Sequence, residues 1–141
     1  MIKTIEHGYE KYVGKYYSYG TSLKDIKKKI DEDIKREIAN GTLPKIKYTL
    51  RTKYFSGGEE LTLIIRDSPE KLYSEPYKKT EFFKNLESKL TAIADEYNYT
   101  ERDIGAGDYF STSFYFFVRA DDDLMRMIKW LKNMLMKMEG I

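Results

Sequence analysis

Two segments on either side of a glycine pair limit the possible folds of this chain most. In residues 45–55, KIKYTLRTKYF, three apolar residues alternate with polar ones, which is the period of a half-buried strand. A second apolar run, ELTLIIRD, follows at residues 60–67. Because Gly57 and Gly58 stand between the two runs, we predict an antiparallel hairpin whose turn these glycines form.

A glycine-rich loop can also bind phosphate when its backbone amides converge in front of a helix. A predicted strand follows Gly57 and Gly58, and no Gly-Lys-Ser or Gly-Lys-Thr sequence ends the loop. The glycine link at residues 105–108 also precedes a predicted strand. We therefore interpret both glycine segments as turns rather than as nucleotide-binding loops.

Three segments have the apolar periodicity of helices. Residues 22–41 begin with Ser22 as a cap, and residues 80–98 begin with Thr80 in the same way. A third helix follows residues 109–120, which we interpret as a third strand. The predicted fold class is α+β: a small single domain in the order α-β-β-α-β-α, with a central antiparallel hairpin packed on helices.

Length and composition set further limits. A chain of 141 residues with 41% hydrophobic residues can fill one core, so we expect residues 1–141 to form a single domain. Residues 1–20 are a Tyr-rich lead-in of which only part need be ordered. The absence of cysteine excludes disulfides and thiolate metal sites. Since no apolar run reaches the roughly 18 residues of a membrane span and no signal peptide is recognisable, we expect a cytoplasmic protein without a membrane partner.

Charge is distributed unevenly along the chain, although the net charge is only +2. Residues 1–53 contain 13 Lys or Arg against 7 Asp or Glu, whereas residues 54–141 contain 12 against 16. In the first predicted strand the basic residues occupy odd positions, so they project from one face of the strand. That basic face carries Lys45, Lys47, Arg51 and Lys53.

The third predicted strand would add aromatic residues to the same face. Alternation points one set of its residues inward: Phe110, Phe114, Phe116 and Val118. The other set points outward: Tyr109, Tyr115, Phe117 and Arg119. Rings among cations suit single-stranded nucleic acid, because bases stack on rings while phosphates contact Lys and Arg. The candidate residues for binding protein or nucleic acid are Lys45, Lys47, Arg51, Lys53, Tyr54, Arg66, Tyr115, Phe117 and Arg119, presented by the turn at Gly57 and Gly58.

Two other interpretations of this face stay open. The face is only solvated, or one of the three helices covers it and makes its aromatic residues a second core layer.

Catalytic and metal-binding patterns are weak in this sequence. The only histidine, His7, lies in the lead-in, where a solvated side chain is the simpler interpretation. The acidic runs at residues 31–33 and 121–123 could hold Mg²⁺, but the first fits the polar face of a helix and the second a helix start. We therefore predict no catalytic residue, no metal and no cofactor. A nuclease assembled from scattered acidic residues stays the enzymatic alternative.

The last predicted helix has two interpretations. Its Leu and Met residues recur at helical spacing, which favours burial in the core. The same stripe, flanked by basic residues, would also suit a surface that adapts to different partners. We favour the core, with Trp130 and Met134 as the residues left for a partner.

Residues 22–69 resemble a known family. The segments DIKKKIDEDIKREI, LPKIKYTLRTKYFSGG and IIRDSP resemble a small domain associated with the large polyvalent proteins of phages and conjugative elements. In that family a helix leads to a strand with an arginine near its end, an aromatic-Ser-Gly-Gly turn, and a strand closing on an Asp-Gly-Pro-like corner. Ser68 departs from the usual glycine. The other places are occupied by Arg51, Phe55, Ser56, Gly57, Gly58, Asp67 and Pro69.

The resemblance implies a mobile-element origin more directly than an activity. Small proteins of such elements often resemble inhibitors of CRISPR or restriction systems, so we expect a non-enzymatic binding protein that inhibits a nuclease-based defence in the bacterial host. Inhibitors that mimic DNA are strongly acidic and this chain is not, so docking on a protein or protein–RNA complex is the expected mode. The alternative is an accessory module that binds nucleic acid through the basic and aromatic sheet face. Oligomeric state is left open.

Overall fold

The computed structural model describes the backbone of residues 2–6, 8–103 and 110–139, and the side chains of these residues except 2, 6 and 122–128. Three candidate features lie outside the described residues: His7, the glycine link at residues 105–108 and Tyr109. Two of the three carboxylates in the acidic run at 121–123 also lie outside the described side chains.

Helices separate groups of consecutive strands along the described chain. The helices are α1 (Leu23–Ala39), α2 (Glu81–Asp95) and α3 (Asp122–Met138). The strands are β1 (Ile2–Glu6), β2 (Tyr9–Val13), β3 (Lys47–Phe55), β4 (Gly58–Asp67), β5 (Tyr73–Glu75), β6 (Lys78–Lys79), β7 (Tyr99–Asp103), β8 (Phe110–Thr112) and β9 (Tyr115–Ala120).

The first two predicted helices are confirmed together with their caps. The Ser22 hydroxyl oxygen accepts a hydrogen bond from the backbone N–H of Asp25 at 3.2 Å. The Thr80 hydroxyl oxygen accepts one from the backbone N–H of Phe83 at the same distance. Each bond satisfies an N–H group that the first turn of a helix leaves without an intrahelical partner.

Strands β3, β4 and β9 form a three-stranded sheet with β4 in the centre. β3 pairs antiparallel with β4, which confirms the predicted hairpin, and β9 pairs parallel with β4. Parallel neighbours need a long crossover, and the chain between β4 and β9 supplies one that contains α2. A register shift next to Lys47 places this residue opposite Asp67.

Helices α1 and α2 cover one face of this sheet, which we call the inner face. At the edge strand β3, the hydroxyl of Tyr48 donates to Asp31 Oδ1 of α1 at 2.6 Å. Burial and this hydrogen bond both raise the Tyr48 pKa. Between the helices and the inner face lies the core, whose fully buried members include Ile30, Ile34, Leu61, Leu63, Ile65, Phe83 and Leu90.

The predicted third strand is two strands, β8 and β9, and the Asn98 side chain fixes the break between them. Its Nδ2 donates to Phe114 O at 2.8 Å, and its Oδ1 accepts from Phe114 N at 3.3 Å and Thr112 Oγ1 at 3.1 Å. Because Phe114 is held by this amide rather than by a neighbouring strand, the alternation restarts there. Phe114 is buried as predicted, but the inward prediction for Phe110 is wrong, since Phe110 is 51% exposed.

The lead-in belongs to a second sheet, with the order β1-β2-β7-β8. Glu10 is a buried charged residue of this sheet, and its carboxylate accepts from Lys3 Nζ, Tyr12 Oη and Arg102 Nη2, each at 2.5 Å. The hydrogen bond from Lys3, followed by that from Tyr12, lowers the Glu10 pKa to about 2. The sheet is thus held together by a charge network as well as by its backbone.

The α+β class is confirmed, but the predicted order of six elements is incomplete. It lacks β1, β2, β5, β6 and β7, which are short strands rich in charged residues and therefore carry little apolar alternation.

Helix α3 does not bury its described side chains. Leu131 is 45% exposed, Leu135 59% and Met138 76%, so the prediction that the apolar stripe of the last helix packs in the core is wrong for these residues. Trp130 and Met134, which were expected to stay outside the core, are exposed as well. A cavity of about 530 Å³ lies between α3 and the segment 67–75. Among the described helices, none is both long and apolar enough to cross a membrane.

Candidate binding surface

The face of the β3-β4-β9 sheet opposite the helices is here called the outer face. Its three rows, read across the sheet, are Lys53, Glu60 and Tyr115; Arg51, Thr62 and Phe117; and Thr49, Ile64 and Arg119. The middle residues Thr62 and Ile64 are buried by their neighbours, whereas Arg51, Phe117 and Arg119 are exposed. Long cationic and aromatic side chains therefore form the surface that solvent meets.

Four aromatic rings gather on the outer face around Tyr115, and we call them the aromatic cluster: Phe55, Phe110, Tyr115 and Phe117. The centroid of the Tyr115 ring lies 6.0 Å from that of Phe55, 6.4 Å from that of Phe110 and 6.4 Å from that of Phe117. The ring planes of Tyr115 and Phe117 differ by only 3°. Because Phe55, Phe110 and Phe117 each expose 44% or more of their surface, the cluster is accessible to a ligand.

Gly57 and Gly58 have separate roles in this arrangement. Gly57 has φ +94°, a conformation that L side chains rarely adopt, so it forms the turn. Gly58 begins β4 below the rings. A Cβ atom at Gly58 would lie 3.1 Å from Phe55 Cζ and 3.3 Å from Tyr115 Cε2. The missing side chain of Gly58 therefore lets these two rings approach each other.

Three cations border the aromatic cluster: Arg51, Lys53 and Arg119. All three are exposed, and none forms an ion pair with another residue in the described part of the chain. Glu60 stands beside Lys53 in the pairing register and reduces the positive charge at the hairpin tip. The positive character of the outer face is thus strongest along Arg51 and Arg119.

Arg66 was predicted as a binding residue, but the structure gives it bonds within the fold. Its Nη1 lies 2.5 Å from Asp121 Oδ2, and its Nε donates to Thr49 Oγ1 at 3.1 Å. Arg66 is half-buried. It joins β4 to the start of α3 and supports the outer face from one end.

The remaining predicted residues lie near the outer face without joining its centre. Lys45 is exposed ahead of β3, and Lys47 lies beyond the register shift, opposite Asp67. Tyr54 is 61% exposed at the hairpin tip, but alternation places it on the opposite side from its neighbours Lys53 and Phe55.

Sequence reasoning missed two members of the aromatic cluster, Phe55 and Phe110. Phe55 could have been found, because it continues the odd-numbered positions of β3 beyond Arg51 and Lys53. Phe110 had no such signal, since its orientation depends on the break that Asn98 creates between β8 and β9.

The structure excludes one of the three interpretations of this face. A helix covering it would bury Phe117 and Arg119, but both are exposed in the described structure. The covered, second-core interpretation is therefore excluded for the described residues. No group of three or more Asp, Glu or His side chains able to hold a metal ion occurs among them either.

Comparison with known proteins found no relative from which the role of this surface could be inferred. No family model matches the chain, and no curated protein or solved structure matches it. The resemblance of residues 22–69 to the phage and conjugative-element family stays a prediction.

Proposed function

We propose that this chain is a non-catalytic binding protein that holds single-stranded nucleic acid on the outer face of its β3-β4-β9 sheet. In this proposal the rings of the aromatic cluster stack with bases, and Arg51, Lys53 and Arg119 contact phosphates.

The observation that carries the proposal is the exposed aromatic cluster. Stacking of a base on an aromatic side chain contributes about 1–3 kcal/mol and is tolerant of sequence, because every base has a π-face. The ring centroids of Phe55, Phe110 and Phe117 each lie 6.0 to 6.4 Å from that of Tyr115. Successive bases of a strand could therefore stack on neighbouring rings. A duplex would keep its bases stacked on one another, so the cluster favours a single strand.

The cations supply the complementary half of such a site. Arg51 and Phe117 share one row of the sheet, and Lys53 and Tyr115 share the next. Phe117 and Tyr115 therefore each have a cation two strands away on the same face, which suits a chain whose phosphates run beside its bases. Arg guanidinium groups also stack on bases, so Arg51 and Arg119 can serve both purposes.

A second candidate function is the inhibition of a nuclease-based defence in the cytoplasm of a bacterial host. The observation that favours it is the exposed apolar side of α3, with Trp130, Leu135 and Met138. Aromatic and methionine side chains are enriched at protein interfaces. A protein–RNA complex would offer both a protein surface for α3 and a single strand for the outer face.

A binding measurement with matched variants tests the first proposal. Fluorescence anisotropy of labelled single-stranded DNA and RNA at low salt is expected to show binding by the wild type. Phe117→Ala is expected to weaken it about tenfold, the loss of one stacked base. Tyr77→Ala is the control, because Tyr77 is 88% exposed in the turn between β5 and β6, and β6 contacts α2 on the inner side of the sheet. Absence of binding by the wild type, or equal losses in the two variants, would sink the proposal.

A further inference from the structure

A group of lysines on α1 lies on the inner side of the sheet, beside its edge strand β3. Lys24, Lys27 and Lys28 line a cavity of about 530 Å³ together with Tyr48 and Leu50 of β3. The three lysines stand at positions i, i+3 and i+4 of the helix, so their side chains lie on one side of it. That side faces the cavity.

This cavity opens beside the edge of the sheet. β3 is an edge strand, and its residues Leu50 and Arg51 are consecutive, so their side chains lie on opposite faces. Leu50 lines the cavity and Arg51 lies on the outer face. The lysines and Arg51 therefore lie on opposite sides of the same edge strand.

The charge of the cavity is positive despite two carboxylates. Asp31 lies there, but its oxygens are already bonded to Tyr48 Oη at 2.6 Å and to Lys35 Nζ at 2.9 Å. Asp25 is the other acid. Lys24, Lys27 and Lys28 form no ion pair with any residue in the ranges that the structure describes.

We propose that a single strand bound on the outer face continues over the β3 edge, and that Lys24, Lys27 and Lys28 hold its phosphates. This proposal rests on the proposed function and extends it, because it assigns a second, purely electrostatic part to the binding site. The lysines are spread along a helix side and the cavity is open, so they suit successive phosphates of a polymer better than one small anion.

The proposal predicts a dependence on strand length. We expect a strand of about 5 nucleotides to occupy the aromatic cluster alone, and one of about 15 nucleotides to reach α1 as well. Both lengths lie within the range of site sizes known for single-strand-binding domains. The test compares the two strands with the wild type and with the variant K24Q/K27Q/K28Q. The control is K78Q/K84Q/K89Q, which removes the same charge from three exposed lysines on α2 or just before it.

The expected result is that K24Q/K27Q/K28Q weakens binding of the long strand about tenfold and of the short strand less than twofold. The slope of log affinity against log salt for the long strand should fall by about 2, since each phosphate contact contributes about 0.7. Equal effects on both strands, or effects no larger than those of the control, would overturn the lysine path alone. Failure of the wild type to bind even the short strand would remove the proposed function as well.

Discussion

At the scale of single residues, Gly58 gives the aromatic cluster its shape. The ring of Phe55 and the ring of Tyr115 occupy the space that a side chain at Gly58 would fill. Neighbouring Gly57 has open space around its Cβ position but a positive φ. The two glycines are thus constrained for different reasons, one by contact and the other by conformation.

Substitution of Gly57 is expected to affect mainly the stability of the fold, and substitution of Gly58 mainly the binding of oligonucleotide. Gly57→Ala should lower the free energy of unfolding by about 1–2 kcal/mol, the cost of a left-handed conformation for a residue with Cβ. Gly58→Ala should displace the rings of Phe55 and Tyr115 and weaken oligonucleotide binding, with a smaller loss of stability. Urea denaturation and anisotropy measure the two effects. Wild-type affinity in Gly58→Ala would contradict the role of this glycine.

Glu10 makes the stability of the second sheet depend on pH. The Glu10 pKa is lowered from 4.5 to about 2 in the folded chain. The stability that this carboxylate contributes is therefore fully present above pH 4.5 and is lost as pH falls toward 2. Glu10→Gln should be less stable at neutral pH and should lack this part of the acid dependence. Denaturation curves between pH 7 and pH 2 check it, and parallel losses in wild type and variant would contradict it.

At the scale of elements, α3 differs from the other two helices because its described side chains face solvent. Polar replacement of Trp130 or Leu135 should therefore change the free energy of unfolding by no more than about 0.5 kcal/mol. Leu90→Ala in α2, where the side chain is fully buried, should cost about 2–5 kcal/mol and serves as the comparison. Thermal unfolding measures both, and a large loss at Trp130 would mean that α3 is part of the core.

The elements that sequence analysis predicted are those whose signals are local. Ser22 and Thr80 mark helix starts by their own hydrogen bonds, and the alternation of β3 places Arg51 and Lys53 on one face without knowledge of the partner strand. The strands that escaped prediction depend on distant partners. β2 pairs with β7, about ninety residues away, and holds a buried Glu10 that reads as a surface residue.

The aromatic cluster was predicted in part for the same reason. Tyr115 and Phe117 follow from alternation within β9, and the structure places them on the outer face as expected. The orientation of Phe110 depends on the break at Phe114, which Asn98 holds from 16 positions away and which no local pattern reveals. The exposure of α3 was also missed, because an apolar helical stripe predicts a buried face without saying what covers it.

At the scale of the whole molecule, the net charge of +2 is too small to attract nucleic acid without local concentration of charge. The affinity for a short single strand should nevertheless fall with salt, with a slope of about −2 for three phosphate contacts. Replacing Arg51, Lys53 and Arg119 by Gln should bring this slope close to zero. A salt titration of anisotropy checks it, and an unchanged slope would place the phosphate contacts elsewhere.

The most direct test of the central claim is to map the bound strand on the protein by NMR. Titration of ¹⁵N-labelled protein with a short single-stranded oligonucleotide is expected to shift the amide signals of β3, β4 and β9, most strongly around Phe55, Tyr115 and Phe117. The signals of α2, on the inner side of the sheet, should stay in place. Shifts confined to α2 or α3, or no shifts at saturating oligonucleotide, would contradict a nucleic-acid site on the outer face.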